Sequence, residues 1–183
     1  GIQIGTETLC QTTLPVLTPA TKIIEDRLPD STREDYRIDI SVDAIKALQQ
    51  IARQDWQGAF LTFDYGKSWS ELIHDHPNGT ARAYERHQAQ GGDLLSNPGH
   101  ADLTCHLCWD FLKEVLDEEG FNDITIERQE SFLMKRASSV IRKIVEKQTD
   151  EPEQESQTLR ELLHPSLMGD AFQALSARRL RHA

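Results

Sequence analysis

Between Ala59 and Tyr65 the chain reads AFLTFDY, its most continuous apolar run, broken only by Thr62 and closed by Asp64, Tyr65 and Gly66. A strand covered on both faces of a parallel sheet has this texture, because neither set of alternate residues has to meet water. Upstream, Val42, Ile45, Leu48 and Ile51 recur at helical spacing behind Ser41, which can cap the first turn. Gln57-Gly58 ends that segment. Helix, buried strand and glycine turn in that order are the grammar of an α/β protein.

The flanking segments are read the same way. YRIDI (36–40) predicts a strand with Ile38 and Ile40 on one face, and LCQTTLPVL and TKIIEDRL read as edge strands of a small β appendage within residues 1–35. From Lys67 to Asp102 turn formers dominate (HPNGT, QGGD, SNPGH), which predicts a long functional loop. Regularity returns in a helix over 108–119, stopped by Gly120, and in a strand, DITIERQ (123–129). The apolar positions 133, 134, 137, 140, 141, 144 and 145 predict one helix from Phe132 to about Gln148, its stripe packed in the core. TDEPEQESQ (149–157) reads as a solvated acidic linker, LRELLH as a short helix ended by Pro165, and FQALSARRL (172–180) as a last strand. The expected organisation is one partial domain: appendage 1–35, core 36–148, linker 149–157, and helix plus final strand 158–183.

A net charge of −10 and a pI near 5.1 argue against a non-specific grip on nucleic acid or an anionic membrane, both of which need basic surface. No apolar run reaches the roughly 20 residues that span a bilayer. Three cysteines (Cys10, Cys105, Cys108) make no even disulfide framework, which favours a reducing compartment. Cys105-x-x-Cys108 beside His100 and His106 raises a zinc reading, but without a second cysteine pair the better expectation is two part-buried thiols and no metal.

Five stretches carry a resemblance. FDYGKSW (63–69) is similar to the end of the fifth strand in the MidA-like family of S-adenosylmethionine-dependent methyltransferases. GTARAYERH (79–87) resembles that family's Gly-Thr-x-Arg-Ala-Tyr-x-x-His segment, and PGHADLTCHLCWDFL (98–112) its Pro-Gly-x-x-Asp-Leu-Thr-Ala-His-Val-Asp-Phe run. RQESFLMKRA (128–137) and MGDAFQALSARR (168–179) resemble its Gln-x-x-Phe-Leu stretch and its closing strand. Order and spacing agree from about residue 36 onward; Cys105 departs from the usual Ala, and Cys108-Trp109 from a Val-Asp pair.

The resemblance implies a class I, Rossmann-like α/β methyltransferase with S-adenosyl-L-methionine as cofactor, acting on a protein arginine and, in mitochondria, linked to complex I assembly. It implies a place in the bacterial cytoplasm, or in mitochondria if the source is eukaryotic. The Gly-rich turn that cradles the cofactor in such folds does not occur here, so the expectation is the distal half of the doubly wound sheet, partnered by a missing N-terminal half. On that reading Asp64, Tyr65 and Gly66 touch the cofactor edge. Arg82, Tyr84, His87, Asp102 and Thr104 bind a protein substrate, and Asp64 and His106 do the chemistry. Carboxylates can hold a guanidinium, and an imidazole can accept its departing proton near neutral pH. The competing expectation is a non-catalytic binding or assembly module of the same fold.

Overall fold

The computed structural model describes residues 2–5, 9–16, 18–19, 21–28, 37–85, 88–90, 94–95, 98–146 and 154–180. In chain order the strands are β1 (Ile2–Ile4), β2 (Leu9–Gln11), β3 (Gly58–Asp64), β4 (Gly66–Lys67), β5 (Arg82–Glu85), β6 (Gln88–Gln90), β7 (Asp102–Thr104), β8 (Leu107–Cys108), β9 (Asn122–Arg128) and β10 (Gln173–Arg179). The α-helices are α1 (Val42–Ala52), α2 (Trp69–His74), α3 (Trp109–Glu118), α4 (Gln129–Arg136), α5 (Ser138–Glu146) and α6 (Gln154–Leu163). The fold is mixed α/β and divides into two compact units, residues 1–44 with 67–108 and residues 45–66 with 109–183. No helix among the described residues is long and apolar enough to cross a membrane.

The second unit is built on a three-stranded sheet in the order β3-β10-β9. β10 runs antiparallel to both neighbours, so β3 and β9 run parallel to each other. Its small residues face large ones: Ala174 lies opposite Phe63 and Ala177 opposite Phe60. Ala174 and Leu175 are fully buried, as a central strand requires. From α3, Trp109, Phe111, Leu112, Val115 and Leu116 are buried, the amphipathic stripe expected of this segment. Gly120, at φ +79°, makes the left-handed turn that ends it. From α1, Ile45, Leu48 and Ala52 are buried, whereas Ile51 is exposed and does not continue the predicted stripe.

One guanidinium ties two helix ends to the sheet. Arg179 donates to the carbonyls of Ala52, Gln54 and Glu119, the last at 2.8 Å, and its carbon sits 4.3 Å from the centre of the Phe121 ring. The last carbonyls of a helix have no partner inside it, so a forked donor satisfies groups that would otherwise need water.

In the first unit, β1 and β2 pair antiparallel, Ile2 opposite Gln11. The second sheet has the order β6-β5-β7, antiparallel throughout. Helix α2 begins with a reciprocal cap: the Ser68 hydroxyl accepts from the Glu71 amide at 3.2 Å, and the Glu71 carboxylate accepts from the Ser68 amide at 2.8 Å.

Several expectations are corrected. AFLTFDY is not the doubly covered centre of a parallel sheet: among the described residues β3 is an edge strand paired antiparallel with β10, with Ala59 and Leu61 exposed. TKIIEDRL is a 3-10 helix (Thr21–Arg27), begun by a turn in which the Thr21 amide and hydroxyl both donate to the Thr18 carbonyl. Of YRIDI, Tyr36 lies outside the described residues and, of the rest, only Arg37 makes a bridge, with Asn78, while the Asp39 carboxylate accepts from the Thr80 and Ala81 amides. The stretch 67–102 holds α2, β5 and β6 rather than a loop alone. The helix foreseen from Phe132 onward is two, α4 and α5, broken where Ala137 adopts φ −120° and ψ 18°. Val140 and Val145 on α5 are exposed, so its stripe is not core packing. Residues 154–157 of the predicted linker begin α6, and 149–153 lie outside the described residues. The strands foreseen at 123–129 and 172–180 form as β9 and β10.

Replacing Arg179 by Lys keeps the charge but loses the fork, and hydrogen bonds to charged groups are worth about 1.5–3 kcal/mol each. Urea denaturation should show Arg179→Lys destabilised by about 2 kcal/mol, and an unchanged midpoint would refute this role.

Candidate functional site

The β5–β7 register decides where most of the candidate residues go. Arg82 stands opposite Thr104, Ala83 opposite Leu103, and Tyr84 opposite Asp102. Opposed residues of an antiparallel pair project from the same side of the sheet, and alternate residues from opposite sides. Arg82, Tyr84, Asp102 and Thr104 therefore share one face, with Ala83 and Leu103 on the other. Arg82, Asp102 and Thr104 are exposed and Tyr84 is half-buried, so the face is open to a ligand.

His106 follows two residues beyond β7. Its amide donates to the Thr80 hydroxyl at 3.0 Å, and its ring meets the His76 ring edge-on at 5.7 Å between centroids. Thr80 is buried, and its own amide and that of Ala81 donate to one oxygen of the Asp39 carboxylate, at 2.6 and 2.9 Å. Gly79, at φ +81°, permits this approach: a Cβ there would lie 2.4 Å from the same oxygen. Asp39 thus fixes the turn at Thr80, and Thr80 fixes the backbone of His106.

Burial pushes the His106 imidazole below its ordinary 6.5, helped by the positive charges of His76, Lys67 and Arg82, while Glu71 opposes them. The ring is neutral at pH 7 and keeps a lone pair. Its Nδ1 is buried and, among the described residues, has no hydrogen-bond partner. A buried polar atom left in this way is a place where a ligand atom or water belongs.

The remaining candidates behave differently. His87 lies outside the described residues. Asp64, Tyr65 and Gly66 belong to the second unit, and all three are engaged locally. The Asp64 carboxylate accepts from the Tyr65 amide at 2.7 Å, and the Tyr65 ring lies 4.0 Å from that of Phe172. Gly66 is pressed against the buried Trp109, whose indole would sit 2.1 Å from an added Cβ and which donates to the Gln173 amide oxygen. Cys105 meets the Ser41 hydroxyl at 3.1 Å and Cys108 is buried. Among the described residues no three His, Cys, Asp or Glu side chains gather as a metal site.

Sequence reasoning missed Asp39, His76 and Thr80. Asp39 had been placed inside a strand, and nothing in the sequence links it to amides some 40 residues away. The Ser68-x-x-Glu71 spacing that marks α2 is a local signal that the reading of 67–102 as a loop passed over.

Together the fold and this face define a mixed α/β protein with ionisable side chains gathered on an exposed sheet surface. Residues 2–126 match the family described as putative S-adenosyl-L-methionine-dependent methyltransferase, and the chain belongs to that family. Among curated proteins nothing matches it. The chain is similar in fold to an uncharacterised protein from Burkholderia thailandensis (TM-score 0.77, 20% identity, covering 98% of this chain and 48% of that one). It is equally similar to a B. thailandensis protein whose crystal structure contains S-adenosyl-homocysteine (TM-score 0.78, 20% identity, 98% and 46%). This chain spans about half the length of those structures.

Because the folded pKa of His106 lies below the unfolded one, the unfolded chain takes up its proton first as pH falls. The stability tied to the neutral ring is full above the unfolded value near 6.5 and is lost as pH drops from there toward the lower folded value. His106→Gln should flatten the pH dependence of the denaturation midpoint in that window. An NMR titration of His106 at or above 6.5 would contradict the lowered value.

Proposed function

We propose that this chain forms the distal, substrate-side part of an S-adenosyl-L-methionine-dependent methyltransferase domain whose acceptor is a protein side chain, an arginine by preference. The observation that carries the reading is the β5–β7 register, which sets Arg82, Tyr84, Asp102 and Thr104 on one face, two residues from a half-buried neutral imidazole. Family membership and the half-length coverage of the structural neighbours support it. The edge position of β3 supports the distal-half reading, because an edge strand can accept a further neighbour. The resemblance to the MidA-like family extends the reading to arginine methylation and, in mitochondria, to complex I assembly.

The chemistry asked of these residues is modest. A guanidinium must be held and, once alkylated, must lose a proton. Asp102 can pair with it through two parallel hydrogen bonds, and the lone pair of His106 can take the proton. Arg82 and Tyr84 supply donors for carbonyl oxygens of the bound polypeptide.

Asp64, Tyr65 and Gly66 do not by themselves form a cradle for the cofactor. At the strand end where open α/β sheets hold ligands, Asp64 caps its own turn, Tyr65 lies against Phe172, and the space at Gly66 is filled by Trp109. On this reading residues other than these hold the cofactor. The same packing favours a second reading, a non-catalytic binding or assembly module, which would stand if the complete protein also fails to bind S-adenosyl-L-methionine.

Titration calorimetry should show no saturable micromolar binding of S-adenosyl-L-methionine to the 183-residue chain, and such binding would count against the distal-half reading. In the complete enzyme, His106→Ala should slow methyl transfer by about a hundredfold, the lower end of general-base effects, with cofactor affinity unchanged. Loss of cofactor affinity instead would remove His106 from the substrate side.

A further inference from the structure

Strand β7 joins two surfaces of opposite character. On one side stand Asp102 and Thr104 with Arg82 and Tyr84. On the other, Leu103 is 60% exposed and lines a groove of about 390 Å³ with Ile2, Leu94 and Leu95 as its other apolar walls. That volume lies within the range of ligand sites, which begins near 300 Å³. Arg37 and Asp39 contribute polar edges to it. Arg37 is held by the Gln11 side chain at 2.7 Å, and Asp39 by the two amides it accepts.

β7 is also a sheet edge. Among the described residues it pairs with β5 alone, and all three of its residues are exposed. An edge strand offers a row of backbone donors and acceptors to any extended segment that runs beside it, and side chains of that segment alternate between the two faces. Here the two faces ask for different things: a charged or polar group beside Arg82 and Asp102, and apolar groups beside Leu103.

We propose that the substrate binds as an added strand on β7. An extended polypeptide would present its acceptor side chain to the Arg82–Tyr84–Asp102–Thr104 face. The residues immediately before and after it, which point the opposite way, would enter the Ile2–Leu94–Leu95–Leu103 groove. The acceptor's role rests on the methyl-transfer reading above, whereas the mode of binding does not. The occupant this geometry selects is a segment of apolar-polar-apolar pattern in an extended conformation. A helical epitope cannot satisfy both faces, because its side chains at i and i+1 do not lie on opposite sides of one flat strand.

The test uses the peptide acetyl-Ser-Leu-Arg-Leu-Ser-amide carrying fluorescein, its scrambled form Leu-Leu-Arg-Ser-Ser, and versions methylated on single backbone nitrogens. Anisotropy with the complete protein and no cofactor reads binding alone. The alternating peptide should bind at least tenfold more tightly than the scrambled one. Only every second N–H of an added strand faces its neighbour, so N-methylation at Arg and at the adjacent Leu should differ in effect by about tenfold. Leu103→Asp, at an exposed position, should weaken binding by at least tenfold. Absence of binding, equal effects of N-methylation at both positions, indifference to Leu103→Asp, or a dimer formed through β7 that excludes the peptide would each overturn the proposal. Binding with the expected alternation but no methyl transfer to the peptide would leave this proposal standing and sink the methyltransferase reading. Methyl transfer indifferent to alternation and to Leu103→Asp would do the reverse.

Discussion

Strand β10 joins the two ends of the second unit, since among the described residues it is the hydrogen-bonded neighbour of both β3 and β9. These strands come from widely separated parts of the chain, and neither touches the other in the sheet. The closing stretch of sequence therefore has to arrive before the sheet exists, a high-contact-order arrangement in which loop closure comes before the pairing that offsets its entropy. The composition of β10 suits that place. Ala174 and Ala177 leave room for Phe63 and Phe60 opposite, and Arg179 at its end fastens the carbonyls left over by α1 and α3.

In the first unit a single carboxylate has the corresponding role. Asp39 gathers the amides of Thr80 and Ala81, Thr80 in turn receives the amide of His106, and Gly79 is the residue small enough to let the contact form. The chain of contacts runs from a carboxylate to an imidazole whose protonation is disfavoured. The two bonds to Asp39 are part-buried and accepted by a carboxylate, the kind that hold geometry best, and the amide of His106 adds a part-buried neutral one. The neighbouring strand pair sets four polar side chains on one face without any further device, because antiparallel register alone aligns Arg82 with Thr104 and Tyr84 with Asp102.

The two tyrosine-containing motifs illustrate how a matched sequence can mean different things. In Asp64-Tyr65-Gly66 each member touches a neighbour: a backbone amide, a phenyl ring and an indole. The need for glycine at position 66 comes from the Trp109 indole, which a Cβ there would strike. Arg82-Ala83-Tyr84, by contrast, alternates as a strand must, burying Ala83 and turning its polar members outward.

The sequence by itself determined the elements whose apolar pattern is local and strong: α1, the α3 stripe with its glycine stop, and the strands β3, β9 and β10. Local pattern suffices there because burial of one face follows directly from residue spacing. It also placed Arg82, Tyr84, Asp102, Thr104 and His106 as candidates, through motifs quoted residue by residue. Only the tertiary structure decided that β3 lies at an edge, that 21–27 winds as a 3-10 helix, and that one helix is broken at Ala137. It alone also revealed Asp39, His76 and Thr80 as the supports of the site. Those outcomes depend on partners distant in the chain, a carboxylate 41 residues from the amide it holds or a strand pairing across more than 100 residues, and no local periodicity encodes which distant group will arrive.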